Sequence, residues 1–203
     1  MSGDRKAALA AVVPAAGLSR RMGSEKVLLP FGRSTVLETI LETLAAAGVV
    51  EVVTVLRPDL TEAAEKARRL GARVVINPHP EEEMLVSIRL GLREIAPDAP
   101  GAFLWPADHP AVSTATVATL ARFAHPALAL IPCWQWRRGH PALIGRKLFS
   151  AIDEIPPGEG LRHLWRTFPD AVVEFSVEDP GTVQNVDTPE DYRKALEMLA
   201  LDS

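Results

Sequence analysis

The chain has 203 residues, of which 47% are hydrophobic and 24% charged, and its 22 basic and 26 acidic side chains leave a net charge of −4. That is apolar material for one core at near-average composition, and the charges are interspersed, so no nucleic-acid footprint is present and a DNA or RNA polymer is not an expected partner. Cys133 is the sole cysteine, which excludes an intrachain disulfide, and its neighbours Pro132 and Trp134 offer no metal-ligand spacing; a reducing cytoplasm is the expected setting.

The first apolar run, over 7–16, is too short for a membrane span and has no signal-cleavage pattern, so it reads as a buried strand, Ala8 to Val13, that ends in Pro14 and a glycine-containing loop. Thr35 to Ala47 follows as a helix, with Val36, Leu37, Ile40, Leu41 and Leu44 at helical spacing, a Thr35/Glu38 capping box and Gly48 just past the end. Glu51 to Leu56 is a strand, Thr61 to Leu70 a helix closed by Gly71, and Arg73 to Ile76 a strand. The alternation continues with a helix at Met84 to Ile95, a strand at Ala102 to Trp105, a helix at Thr114 to Phe123 and a strand at Ala127 to Ile131. Beyond Pro132 the rhythm changes. Trp134 to Arg138 is polar and aromatic, Pro141 to Ile144 reads as a returning strand, and helices are expected over Lys147 to Ile155 and Gly160 to Phe168. Ala171 to Val177 is a further strand, and a last helix begins at Pro189 behind Thr188, which can form a capping box with Asp191 and run through Leu199. The pattern predicts an α/β fold over residues 1–203 as a single domain: a three-layer, Rossmann-like, mainly parallel sheet with helices on both faces.

In such a sheet ligands sit beyond the carboxyl ends of the strands, which directs attention to the loop after the first strand, 14–26. Small residues at Ala15, Ala16 and Gly17 let backbone N–H groups approach a phosphate or base closely, while Arg21 and Lys26 supply charge for a polyphosphate. The loop fits neither GxGxxG nor GxxxxGK[ST], so the dinucleotide and P-loop templates do not apply. A glycine turn with solvated basic residues is the plainer alternative.

Ala15-Ala16-Gly17, Ser19, Arg21-Met22-Gly23 and Lys26-Val27-Leu28-Leu29-Pro30 stand in the order AAG-x-S-x-R-M-G…K-x-LLP, which resembles the hallmark of the MobA-like nucleotidyltransferases. The resemblance implies a fold of the nucleotide-diphospho-sugar transferase type that binds an NTP over this loop. Ala15, Ala16, Gly17, Ser19, Arg21 and Lys26 would be nucleotide-binding, with Arg21 and Lys26 also catalytic through neutralising phosphate charge. Residues 1–132 would form the NTP-binding half and 133–203 the acceptor-side half with the closing strand and helix. Guanylyl-transferring relatives read AGG where this chain has Ala16, and the molybdopterin cytidylyltransferases read AAG, so Ala16 implies CTP, with GTP as the alternative.

Nucleotidyl transfer needs an in-line nucleophile, cations on the α-phosphate and stabilisation of the departing diphosphate, with little covalent participation by protein. Carboxylates should therefore hold Mg²⁺ or Mn²⁺. Asp108, in Trp105-Pro106-Ala107-Asp108-His109-Pro110, follows a strand and resembles the family's D-x-P motif, which implies a catalytic, nucleotide-side metal ligand; an Asx-type turn before Pro110 is the alternative. Asp187, in a segment resembling the family's N-V-D-TPED motif, is implied as the other metal ligand, or else simply precedes a capped helix.

Ser87 lies in Glu83-Met84-Leu85-Val86-Ser87, similar to a segment that contacts base and ribose, although Glu83 replaces the usual glycine and Val86 a common serine. Gly139 and His140 resemble the GHP motif of the cytidylyltransferase branch, and Arg162 closes Gly158-Glu159-Gly160-Leu161-Arg162, which resembles GDxGxR with Glu159 in place of aspartate. These three are implied to bind the acceptor: His140 by hydrogen bonding, or else it is a structural histidine in a turn, and Arg162 at a phosphate, or else it lies on a solvated face. Trp134 and Trp136 can stack on a pterin or serve in packing.

The implied activity is transfer of CMP from CTP to molybdopterin (molybdenum) cofactor with release of diphosphate. Alternatives are molybdopterin guanylyl transfer, methylerythritol-phosphate cytidylyl transfer, and a non-catalytic chaperone that carries the cofactor to a molybdenum hydroxylase apoenzyme.

Overall fold

The computed structural model describes residues 8–18 and 25–201. The backbone runs β1 (Ala10–Pro14), β2 (Pro30–Phe31), β3 (Ser34–Thr35), α1 (Val36–Ala46), β4 (Glu51–Leu56), α2 (Thr61–Arg69), β5 (Arg73–Ile76), α3 (Met84–Arg93), β6 (Gly101–Leu104) and α4 (Thr114–Arg122). It continues through β7 (Ala129–Trp134), β8 (Arg137–Arg138), β9 (Ala142–Gly145), α5 (Phe149–Asp153), α6 (Arg162–Thr167), β10 (Val172–Ser176) and α7 (Pro189–Leu201).

The main sheet has the order β10-β7-β9-β6-β1-β4-β5, with β8 paired to β7. β1 is central and parallel to both β4 and β6, as the βαβ alternation predicts. β9 is the exception. It enters antiparallel between β6 and β7 and makes the sheet mixed where the returning strand was expected. The helix expected over 147–155 is a 3₁₀ turn, Arg146–Leu148, followed by the short α5.

Both faces of the sheet are covered, and β1 shows how the pleat divides them. Ala11 and Val13 pack with Leu37, Ile40 and Leu44 of α1, Ala63 and Ala67 of α2, and Val117 and Leu120 of α4. Ala10 and Val12 face the opposite layer, formed by Leu85, Ile88 and Leu92 of α3, Ile152 of α5 and Leu164 of α6. A Cβ at Gly91 would lie 2.3 Å from Val12 Cγ1, so glycine at that position lets α3 lie directly on β1.

Local signals set the helix boundaries. The side-chain oxygen of Thr35 accepts from the Glu38 amide while the Glu38 carboxylate accepts from the Thr35 amide, and Gly48 and Gly71, both at φ 82°, close α1 and α2 in the left-handed conformation. The expected second box is present too. Thr188 Oγ1 accepts from the Asp191 amide at 3.2 Å, and Asp191 Oδ2 accepts from the Thr188 amide at 2.9 Å. A third apolar cluster of Phe31, Val36, Val186 and Ala195 seats α7 against the β2–β3 hairpin and so returns the end of the chain to the loop after β1. Among the described residues no helix is long and apolar enough to cross a membrane.

Candidate active site

A cavity of about 150 Å³ opens beyond the carboxyl ends of the central strands, lined by Ala15, Ala16 and Gly17 after β1, Lys26, Ser87 and Asp108. The backbone builds its floor. The Ala15 amide donates to the Val55 carbonyl of β4, and the Ala107 amide to the Pro14 carbonyl of β1, so the loops after β1 and β6 share one rim. Six of the residues expected at the nucleotide therefore stand around one space. Ser19 and Arg21 lie outside the described residues.

Asp187 reaches the same place from α7's side. Lys26 Nζ donates to Asp187 Oδ1 at 2.8 Å, Asn185 Nδ2 donates to Oδ2 at 3.0 Å, and the Val186 amide donates to the Asp108 carbonyl at 2.7 Å. The Lys26–Asp187 pair is thus held beside the loop that carries Asp108, through the Asp108 backbone carbonyl. Asp108 Oδ1 is buried and, among the described residues, accepts no hydrogen bond. A carboxylate oxygen in that position is an acceptor left bare, the condition a hard cation relieves. Among the described residues no three His, Cys, Asp or Glu side chains converge to cage a metal by themselves.

The second expected group also comes together. Gly139, His140 and Arg162 line a larger cleft of about 1120 Å³, and Met84 lines both spaces, so the two are neighbours. Gly139 is fixed there by close backbone approach: its Cβ would fall 2.5 Å from the Thr182 carbonyl oxygen, and the His140 amide donates to that same oxygen at 2.8 Å. Arg138 and Arg166 also line the cleft, and are paired with Glu174 and Glu159 respectively. Arg162 has no carboxylate partner among the described residues. Trp136 points into solvent, 98% exposed, and makes no packing contact of the kind its size would suggest.

Three residues at the site carried no motif in the sequence. Asn77, buried at the end of β5, donates to Ser87 Oγ at 3.0 Å and accepts from the His79 amide, which orients Ser87 toward the first cavity. A polar residue directly after an apolar strand was the available signal. His109 stacks on His140 with ring centroids 4.7 Å apart, and its Nε2 lies 3.7 Å from Asp108 Oδ1. It links the two spaces. Burial pushes the His140 imidazole down to about 3, helped by His109, and burial lowers His109 as well, against the pull of Asp108. The third is Arg57, buried behind the loop after β1.

Residues 11–172 match the MobA-like NTP transferase domain. The chain belongs to that family. Among curated proteins it is 29% identical to nicotine blue oxidoreductase of Paenarthrobacter nicotinovorans over 194 residues, covering 91% of this chain and 95% of that protein. It is 25% identical to the molybdenum cofactor cytidylyltransferase of Escherichia coli K12 over 192 residues, covering 94% and 96%. Of solved structures, Rv0371c of Mycobacterium tuberculosis H37Rv superposes with a TM-score of 0.80 at 28% identity, covering 94% of this chain and 99% of that one. That protein has also been solved as a complex with manganese, with a TM-score of 0.74 at 27% identity, covering 94% and 98%. Relatives at nearly full-length coverage therefore carry names of more than one chemistry.

Proposed function

We propose that this chain is a divalent-metal-dependent, cytosolic nucleotidyltransferase that moves CMP from CTP onto molybdenum cofactor and releases diphosphate. The observation that supports the reading is that Lys26, paired with Asp187, and Asp108 line the cavity floored by Ala15, Ala16 and Gly17. The backbone amides of Ala16 and Gly17 meet the phosphates, the Ala15 amide being engaged by the Val55 carbonyl, and Lys26 neutralises charge as it builds on the departing diphosphate. Ser87, oriented by Asn77, faces the nucleoside. His140, neutral and with Nδ1 unpartnered, and Arg162 hold the acceptor in the adjoining cleft. An acceptor phosphate oxygen forms the new bond to the α-phosphorus as the α–β bridging oxygen leaves in line with diphosphate, so no covalent enzyme intermediate is required. Asp108 and Asp187 would hold Mg²⁺, or Mn²⁺ in its place, which supplies positive charge to the phosphates.

A panel of the four NTPs against molybdenum cofactor and methylerythritol phosphate, with Mg²⁺ or Mn²⁺, tests the proposal by diphosphate release. CTP with molybdenum cofactor is the expected pair. Stoichiometric binding without diphosphate release would replace catalysis with a carrier role, in which the cofactor is handed to a molybdenum hydroxylase. Similarity to nicotine blue oxidoreductase supplies a further arm: turnover of nicotine blue, with no diphosphate released from any NTP, would overturn the reading.

A further inference from the structure

Arg57 follows β4 directly, outside the residues that line either cavity, and its side chain is only 5% exposed. Nη1 donates to the Gly17 carbonyl at 2.7 Å, Nη2 donates to Glu25 Oε1, and Nε donates to Asp59 Oδ2 at 3.0 Å. Gly17 and Glu25 stand on the two sides of the loop after β1, and Glu25 immediately precedes Lys26. One planar guanidinium therefore ties the loop's outgoing backbone to the residue that leads into the lysine. The remaining oxygen of Glu25, Oε2, is covered and accepts no hydrogen bond among the described residues, so Arg57 grips Glu25 through Oε1.

We propose that Arg57 is a positioning residue for the nucleotide: with Glu25 it closes the base of the loop and sets the separation between the 16–17 amides and Lys26, so that one polyphosphate meets both. The inference rests on the nucleotide-binding reading above. Without the guanidinium, the Glu25 carboxylate loses its cation in a partly desolvated place and turns to water, drawing Lys26 with it. Preorganisation is lost before any phosphate contact is, which weakens nucleotide binding and leaves the chemistry of bound nucleotide nearly intact.

The experiment is a double-mutant cycle on the full chain. Arg57→Met is expected to raise KM for the NTP at least tenfold with kcat within threefold, Glu25→Gln to raise it less, and the pair together to be no worse than Arg57→Met alone, because the two act through one contact. Arg57→Lys, which keeps the charge and part of the bonding, should fall between wild type and Arg57→Met. Effects that multiply would mean that Arg57 touches the nucleotide itself, and an unchanged KM would mean that the contact is structural only; either overturns the proposal. A second readout does not depend on turnover. In ligand-free protein, amide hydrogen exchange over 15–18 and 25–29 should accelerate at least tenfold in Arg57→Met while β6 amides stay protected. If the wild type releases no diphosphate from any NTP, the proposed function fails and the exchange result still decides the clamp: equal exchange in both proteins refutes it.

Discussion

The Val186 amide donates to the Asp108 carbonyl oxygen at 2.7 Å, and this bond seats the segment before α7 against the loop after β6. It places Asp187 one residue from that junction, where Lys26 Nζ meets its Oδ1. Sequence positions at opposite ends of the chain thereby become one cluster, because α7 is anchored by its own apolar face on Phe31 and Val36.

The first prediction follows from that ion pair. Its members are 14% and 25% exposed, so it lies between surface and core, and an isosteric change should disturb chemistry more than folding. Asp187→Asn and Lys26→Met are each expected to lower diphosphate release by about 10²–10³, the scale of one lost electrostatic contact in the transition state. Far-UV circular dichroism should be unchanged. Wild-type turnover in either variant removes that residue from the mechanism.

Asp108 yields a prediction with opposite signs for stability and activity. Its bare, buried Oδ1 costs free energy in the metal-free protein, so Asp108→Asn should leave the melting temperature equal or higher when chelator is present. The same change removes a charged oxygen ligand. Mg²⁺ or Mn²⁺ with CTP should then no longer raise the melting temperature, and turnover should fall at least about a hundredfold. In wild type, chelator should abolish diphosphate release and either ion restore it; a thermal response to metal that survives in Asp108→Asn refutes the assignment.

Much of this site was legible because its signals are local. The small-residue run 15–17 ends a buried strand, and Thr35, Gly48 and Thr188 fix helix ends by capping chemistry that a few neighbouring residues contain. What was hidden depends on contacts between distant residues or on unusual backbone. β7 runs on to Trp134 and turns back at Gln135 and Trp136, with φ of 47° and 66°, where no Gly or Asn announces the left-handed turn, so the stretch read as irregular. The antiparallel entry of β9 is a property of the sheet and has no imprint on Ala142–Gly145, which is apolar in either direction. Arg57 reads as a charged residue at a strand end, and only the folded loop reveals what its guanidinium holds. His109 was hidden in the same way beside Asp108, since its stacking on His140 joins two loops that sequence spacing does not relate.

The buried histidine pair makes stability depend on pH with a definite sign. His140 binds its proton near 3 in the folded chain and near 6.5 when unfolded, so between those values the unfolded state holds more protons and acid favours it. Stability is fully present above about pH 6.5 and is lost as pH falls toward 3. His109, lowered in the same direction by burial, adds to the effect. Between pH 6.5 and about 5, above the carboxylate range, one such proton corresponds to about 1.4 kcal/mol per pH unit. Denaturant unfolding of His140→Gln over that interval should show a shallower decline than wild type. Equal slopes would mean that His140 is solvated and titrates normally.

Ala16 offers the sharpest test of base choice. Ala16 lines the cavity and is 5% exposed, with Asn77 and Ser87 in the same lining, and glycine there would enlarge the floor without altering Lys26 or either carboxylate. A single methyl or methylene in a binding pocket is worth about 1–3 kcal/mol of discrimination, or roughly 10- to 200-fold. Ala16→Gly is therefore expected to lower the CTP-over-GTP ratio of kcat/KM about tenfold in a competition assay, chiefly through better use of GTP, with the dependence on Mg²⁺ unchanged. If the ratio stays as in wild type, the methyl does not meet the base, and selection between pyrimidine and purine must come from the Asn77–Ser87 side of the cavity instead.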